Sequence, residues 1–188
     1  MRLFVALDVP GPVRASLAEL SAQLQKICPS ARWVNLAGVH ITLKFIGEVA
    51  PDRFERIREA LGDLPSFAPA KLRFAGLGFF PGARRPRVFW AGVEAGPQLG
   101  ELGSALEEKL APLGIPRESR EFRPHLTLAR FDSPQGTDVL RVAVEALGAP
   151  EFGSDVFKEF YLYRSVLKPS GAEYTRLETY PFHREPAP

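Results

Sequence analysis

Helical and strand-like spacings of apolar residues alternate along the chain. Between Val13 and Ile27 the apolar positions fall at intervals of four and three residues, which gives a helix one apolar face, and Pro12 suits its first turn. Short apolar runs bounded by Pro, Gly and Asp indicate strands. The same criteria predict helices over Pro51–Leu61, Gln98–Leu113 and Thr137–Leu147, and extended segments over Leu3–Val9, Trp33–Val34, Val39–Gly47, Leu72–Phe80, Arg87–Glu94, Pro124–Phe131, Phe157–Leu167 and Glu173–Tyr180.

Two of the predicted strands carry the same four-residue pattern, His-x-Thr-x. The first copy is His40–Leu43 (HITL), and the second, 85 residues later, is His125–Leu128 (HLTL). The chain has only five threonines and three histidines. Chance would therefore give two such copies in roughly two of a thousand sequences of this composition. The duplication favours a shared function over two unrelated buried histidines on strands that happen to contain Thr.

The spacing within the motif predicts which way the side chains point. Residues i and i+2 of a strand share a face, so His40 and Thr42 point the same way, as do His125 and Thr127. The apolar residues between them then point into the core. Each motif thus combines an imidazole for proton transfer with a hydroxyl that can donate a hydrogen bond.

Other segments match at the same offset of 85 residues. Arg2–Ala6 aligns with Arg87–Ala91, and Phe54–Ile57 aligns with Val139–Val142. A period this long is typical of a duplicated half-domain and not of a solenoid. We expect one α+β domain of two joined lobes over residues 1–182, with pseudo-twofold symmetry and a disordered tail over 183–188. The symmetry would bring the two histidines to opposite walls of one groove.

Composition narrows the class of protein. An apolar content of 45% and a charged content of 24% in 188 residues are typical of a globular protein. The net charge of +2 is too small for a general nucleic-acid binder. The single cysteine, Cys28, excludes an intramolecular disulfide and fits a reducing compartment. No apolar run is long enough for a membrane span, and we expect a cytoplasmic monomer.

Two opposed imidazoles suit the opening of a cyclic phosphodiester. One histidine can activate water while the other protonates the departing oxygen on the far side of phosphorus, since histidine titrates near neutrality. The hydroxyls of Thr42 and Thr127 could hold the non-bridging oxygens. The remaining histidine, His183, lies near the end of the chain, and the acidic residues show no metal-ligand spacing. We therefore expect neither a metal nor another cofactor. This reasoning does not decide which histidine is the acid.

The two motifs and their flanks resemble a known family. The segments His40–Glu48 and Arg123–Arg130 are similar to the paired motifs of the two-histidine phosphoesterases, and most closely to the bacterial and archaeal 2′-5′ RNA ligases, or RNA 2′,3′-cyclic phosphodiesterases. Arg2–Leu7, Phe80–Pro81 with Arg87–Trp90, and Ser165–Leu167 also resemble that group. The resemblance covers about residues 1–182.

The resemblance implies a fold, a reaction and a partner. The fold is bilobal, with two antiparallel sheets lining a central groove and helices outside. The reaction is metal-independent hydrolysis of an RNA 2′,3′-cyclic phosphate to a 2′-phosphate, with His125 as base and His40 as acid. Arg130 would contact the nucleotide. The partner would be an RNA end, tRNA fragments included, or a small cyclic nucleotide. No ATP-binding motif is present, so any 2′-5′ ligation would run without ATP, by the cyclic-phosphate chemistry in reverse.

Strand alternation raises a question about two basic residues. Lys44 has the same parity as His40 and is a candidate phosphate ligand. Arg130 has the opposite parity to His125, so it would need a bulge or a strand end to reach the groove, and is otherwise structural. Weaker candidates are stacking aromatics, which are commoner in cores, and basic rims for RNA, which could equally be a solvated surface. They are Phe79, Phe80 and Trp33, and Arg84, Arg85, Arg87, Arg117, Arg120 and Arg123.

Two other functions fit the same residues. A related enzyme could act on a small nucleotide, as a cyclic or a 2′-5′ phosphodiesterase, and a panel of substrates would separate it from an RNA enzyme. A nucleotide-binding module without turnover would keep the groove but not the chemistry. Hydrolysis by metal-stripped protein would exclude that module.

Overall fold

The computed structural model describes residues 1–119, 122–168 and 171–183. The expected tail from residue 184 onward, the turn residues 169 and 170, and Arg120 lie outside the described residues. The helices are α1 (Gly11–Ile27), α2 (Pro51–Gly62), α3 (Pro97–Leu110) and α4 (Thr137–Leu147). The strands are β1 (Arg2–Asp8), β2 (Arg32–Trp33), β3 (His40–Glu48), β4 (Ala70–Phe80), β5 (Val88–Ala95), β6 (His125–Arg130), β7 (Glu151–Phe157), β8 (Glu159–Lys168) and β9 (Gly171–Pro181).

The strands form two antiparallel sheets, as the resemblance implies. The first has the order β3-β1-β8-β9, and the second has the order β2-β6-β5-β4-β7. Each sheet holds one histidine strand, next to the strand that begins its half of the repeat. The fold is α+β and bilobal with pseudo-twofold symmetry, and the order β1-α1-β3-α2 recurs as β5-α3-β6-α4.

Each half of the chain contributes a helix to the other sheet. Helix α1 follows a strand of the first sheet but packs against β7 and α4. Helix α3 follows a strand of the second sheet but packs against β3 and α2. The buried faces of both sheets therefore pack against helices from both halves. This crossing leaves the opposite faces of β3 and β6 free to form a groove.

One predicted strand, Phe157–Leu167, is wrong in its extent, and β7 was missed. The chain leaves the second sheet at Phe157 and enters the first at Glu159. Strand β7 is an edge strand paired only with β4, and Phe152 is its one buried side chain. An edge strand held mainly by backbone pairing has no apolar alternation to reveal it.

The predicted helix Gln98–Leu113 is too long at its end. Helix α3 stops at Leu110, and a 3₁₀ turn covers Ala111–Leu113. Pro112 explains the change, because proline has no N–H for an intrahelical bond and its ring clashes with the preceding turn. Gly114 then closes the turn with a φ of 75°, a left-handed conformation that glycine adopts without strain.

Candidate active site

One groove between the sheets collects most of the predicted residues. Its cavity volume is about 280 Å³, and it is lined by His40 and Thr42 from β3 and by His125, Thr127 and Arg130 from β6. A larger cavity of about 460 Å³ contains neither histidine. We place the candidate site in the smaller groove, since there each sheet contributes one copy of the motif.

The apolar residues of both motifs hold the strands in place. Ile41 and Leu126 are fully buried, and Leu43 and Leu128 are nearly so. The histidines and threonines are half-buried, on the opposite face. Strand alternation and the buried faces of the two sheets together direct the four polar side chains to the groove.

Each histidine ring is fixed by a carbonyl group two residues earlier. His40 Nδ1 lies 2.9 Å from the Gly38 carbonyl oxygen, and His125 Nδ1 lies 2.7 Å from that of Arg123. A carbonyl oxygen only accepts, so Nδ1 carries the hydrogen in both rings. Nε2 is then the nitrogen left for the groove. A neutral ring can take a proton there, and a charged ring can give one.

A β-bulge follows the threonine in each motif. Two adjacent residues of β1 pair with Thr42 and Lys44, and two adjacent residues of β5 pair with Thr127 and Ala129. Each histidine strand therefore contains one extra residue, Leu43 or Leu128, at equivalent positions of the repeat. An extra residue shifts the alternation of all side chains after it.

The bulges decide which later side chains reach the groove. Arg130 lines the groove although simple alternation placed it on the other face. Its equivalent in the first lobe is Phe45, which also lines the groove and was missed by the sequence analysis. A bulge leaves little trace in a single sequence. The repeated pair of buried residues after each threonine is the only signal here.

The placement of Lys44 predicted from alternation is wrong. The bulge turns its side chain away from the groove, where it is 4% exposed. Lys44 Nζ lies 2.7 and 2.6 Å from the Glu107 carboxylate oxygens and 2.6 Å from the Pro116 carbonyl oxygen. It thus links β3 to α3 and to the segment that leads toward His125. This ion pair uses its charge, so we no longer count Lys44 as a phosphate ligand.

The two histidines have different surroundings. His40 stacks on Phe4, with 4.5 Å between ring centroids, and meets the Tyr174 ring edge-on at 4.9 Å. His125 meets one aromatic ring, Phe80, edge-on at 5.1 Å. Burial lowers the pKa of His40 below its ordinary value of 6.5, against the opposing effects of the Gly38 carbonyl and of Asp8. A bound phosphate would favour the charged ring and so oppose the effect of burial.

The neighbouring strand adds a further asymmetry. Asp8 on β1 pairs in register with His40, whereas Gly92 on β5 pairs with His125. A Cβ at Gly92 would lie 2.4 Å from the Ala75 carbonyl oxygen, so no carboxylate fits there. Tyr163 and Arg176 both hydrogen-bond to Asp8. Burial and Asp8 raise the pKa of Tyr163, which keeps that hydroxyl a donor.

The same register corrects the offset of the first repeated segment. Asp8 and Gly92 are equivalent, so β1 and β5 match at an offset of 84 residues and not 85. Phe4 consequently faces the groove while Phe89, its match in the sequence alignment, is fully buried. The similarity between Arg2–Ala6 and Arg87–Ala91 reflects strand composition and not equivalent positions.

The aromatic residues first considered for base stacking serve other contacts. Phe79 packs against Phe89 and Phe131, and Trp33 donates from Nε1 to the Cys28 carbonyl oxygen. Phe80 supports His125. The aromatic side chains that the groove exposes are others. Of the basic rim, the described members Arg84, Arg85, Arg87, Arg117 and Arg123 are exposed.

Neither a metal-ligand cluster nor a membrane helix is found in the described part of the chain. No three His, Cys, Asp or Glu side chains in residues 1–119, 122–168 and 171–183 come together as metal ligands. No helix within those ranges is both long and apolar enough to cross a membrane.

Comparison with known proteins gives matches along nearly the whole chain. The sequence profile of the 2′-5′ RNA ligase superfamily matches residues 9–164. An RNA 2′,3′-cyclic phosphodiesterase of Archaeoglobus fulgidus is 35% identical over 96% of this chain and 99% of its own length. The Escherichia coli LigT structure complexed with 3′-AMP has a TM-score of 0.75 and 28% identity, covering 96% of this chain and 97% of that one. A Thermus thermophilus protein of known structure has a TM-score of 0.80 and 32% identity, covering 97% and 98%.

Proposed function

Because the chain belongs to the 2′-5′ RNA ligase superfamily, we propose that it hydrolyses 2′,3′-cyclic phosphate ends of RNA to 2′-phosphates. One observation carries the proposal: two His-x-Thr motifs, one from each sheet, line a single groove with the Nε2 atom of each ring free for proton transfer. The relatives named RNA 2′,3′-cyclic phosphodiesterase support the choice of substrate.

The proposed reaction uses the two histidines as base and acid. His125 Nε2 takes a proton from water, and the water oxygen attacks phosphorus. The bond from phosphorus to O3′ breaks, and His40 Nε2 gives its proton to that oxygen. The resemblance to the family supplies this assignment. It agrees with the buried setting of His40, because a site that disfavours the imidazolium makes it a stronger acid once substrate has been bound.

The remaining groove residues would bind the phosphate. Negative charge grows on the non-bridging oxygens as water adds, and fixed donors stabilise it. Thr42 and Thr127 offer hydroxyl groups, and Arg130 offers a guanidinium group, from walls that both line the groove. A 5′-hydroxyl in place of water would join two RNA ends through the same groups without ATP, which is the ligase activity in the family's name.

The finer features of the proposal come from the same site. We include tRNA fragments among the RNA ends and expect the enzyme to act as a monomer, because both motifs come from one chain. We also place it in the cytoplasm, where its lone Cys28 would stay reduced. Light scattering would test the oligomeric state, and fractionation of cells would test the location.

A product assay tests the function directly. Metal-stripped protein is mixed with an RNA that ends in a 2′,3′-cyclic phosphate, and the products are resolved into 2′- and 3′-phosphates. We expect the 2′-phosphate alone, at a rate that EDTA leaves unchanged. Activity that disappears with EDTA and returns with a divalent ion would contradict the mechanism, and a 3′-phosphate product would contradict the direction of bond cleavage.

A further inference from the structure

The groove exposes an unusual amount of apolar surface. Among the described residues, only two aromatic side chains are exposed, Phe45 and Tyr174, with 60% and 39% of their surface accessible. Both line the groove. Leu167 lines it as well and is 69% exposed. We refer to Phe45, Leu167 and Tyr174 as the apolar wall. Large exposed apolar groups gathered at a catalytic groove indicate a surface that a ligand covers.

The fold holds the apolar wall in this position. The bulge after Thr42 turns Phe45 outward. Tyr174 reaches from β9 across the concave face of its sheet to meet Phe4 and His40 edge-on. A Cβ at position 38 would lie 3.0 Å from the Tyr174 ring, so Gly38 leaves room for that ring. The exposed rings therefore do not result from a loose loop.

The apolar wall breaks the symmetry between the two lobes. Phe45 and Arg130 come after their bulges at equivalent positions of the repeat, yet one is aromatic and the other cationic. The first sheet thus adds an apolar surface where the second adds a positive charge. A ligand that matches both must join a flat apolar part to an anion within one small cavity.

A nucleotide has both parts. None of the described residues lining the groove is acidic, and those outside the two motifs that carry hydroxyl groups are Ser165 and Tyr174. Few groups are left to read the hydrogen-bonding edge of a base, whereas any base can stack on an aromatic ring. Building on the proposed function, we propose that Phe45, Leu167 and Tyr174 form a nucleobase subsite that holds the terminal base by its face, whichever base it is.

Turnover of substrates with and without a base tests the subsite. The substrates are the four nucleoside 2′,3′-cyclic phosphates and methyl riboside 2′,3′-cyclic phosphate, which has no base. The wild-type protein should prefer all four nucleotides to the riboside. In Phe45→Ala the ratio of kcat/KM between nucleotides and riboside should fall about 5- to 100-fold, the range for loss of one stacked base. Leu167→Ser should lower the same ratio.

Controls separate stacking from other effects. Phe45→Leu keeps an apolar side chain but loses the flat ring, so it should lie between the wild-type protein and Phe45→Ala. Val142→Ala removes a valine of similar exposure, 58%, from the outer surface of α4 and should leave the ratio unchanged. An unchanged ratio in Phe45→Ala and Leu167→Ser, or discrimination among the four bases greater than that against the riboside, would overturn the subsite.

A binding measurement distinguishes failure of the subsite from failure of the proposed function. Calorimetry compares adenosine 2′-phosphate with ribose 2-phosphate on the wild-type protein and on Phe45→Ala. The subsite predicts tighter binding of the nucleotide and loss of that advantage in the variant, even if neither protein turns over cyclic phosphates. Equal binding of the two ligands would refute the subsite alone. Association of the wild-type chain in sedimentation that Phe45→Ala abolishes would assign the apolar wall to a second copy and also overturn the proposal.

Discussion

At the scale of single residues, the two histidines carry most of the proposed chemistry. Replacement of His40 or His125 by Ala should lower turnover of the cyclic phosphate by roughly 10²–10⁴-fold, the usual contribution of a general acid or base. The fold should persist, because both rings are only half-buried. Thr42→Ala and Thr127→Ala should cost less, since each removes one of several donors to the phosphate. Steady-state kinetics measure these effects, and near-normal turnover in His40→Ala would exclude the two-histidine mechanism.

The pKa of His40 provides a second prediction for a single residue. NMR titration of the free protein should place its midpoint below 6.5, because burial disfavours the charged ring. Asp8→Asn should lower the midpoint further, since the carboxylate opposes that effect. Asp132→Asn, at a surface ion pair with Arg32, is the matched control and should not move it.

The same shift makes the stability of the protein depend on pH. Between the lowered pKa of the folded protein and 6.5, the unfolded chain binds more protons at His40 than the folded chain does. The free energy of unfolding should therefore decrease as the pH falls through that range. In His40→Gln this component disappears, so urea denaturation at several pH values should show a weaker decrease than in the wild-type protein. An equal pH dependence in both proteins would contradict the burial argument.

At the scale of elements, the ion pair between Lys44 and Glu107 joins β3 to α3. Glu107→Ala would leave the buried ammonium group without its partner, which typically costs about 3–5 kcal/mol. Glu94→Ala, which breaks an exposed pair with Arg73, should cost about 0–1 kcal/mol. The double variant Lys44→Met/Glu107→Leu should recover most of the loss, because it buries no charge. Urea denaturation measures all three, and equal losses for Glu107→Ala and Glu94→Ala would show that Lys44 does not depend on this partner.

At the scale of the whole molecule, the crossed helices tie the two lobes together. Helix α1 packs against β7 and α4, and α3 packs against β3 and α2. Neither sheet can then lose its helices without disturbing the other. We expect residues 1–182 to unfold in one transition, with equal calorimetric and van't Hoff enthalpies. Two separate transitions would mean that the lobes are independent domains.

Much of this architecture could be predicted from the sequence. The spacing of apolar residues located all four helices and most strands, because both elements bury one face and so repeat with a fixed period. Strand β7 escaped because its side chains are mostly exposed and its stability comes from backbone pairing. The duplicated His-x-Thr-x pattern indicated both the symmetry and the candidate acid–base pair, since two residues apart on a strand means a shared face.

The tertiary structure alone decided where the side chains after each motif point. Alternation placed Lys44 in the groove and Arg130 outside it, and one bulge in each histidine strand reverses both positions. A bulge depends on how a strand pairs with its neighbour, and a single sequence does not contain that pairing. The apolar wall likewise joins Phe45 to residues more than a hundred positions later in the chain. The sequence by itself determined the chemistry of the two strands, because it lies in local spacing. Which side chains surround that chemistry depends on contacts between distant segments, and only the folded chain brings these together.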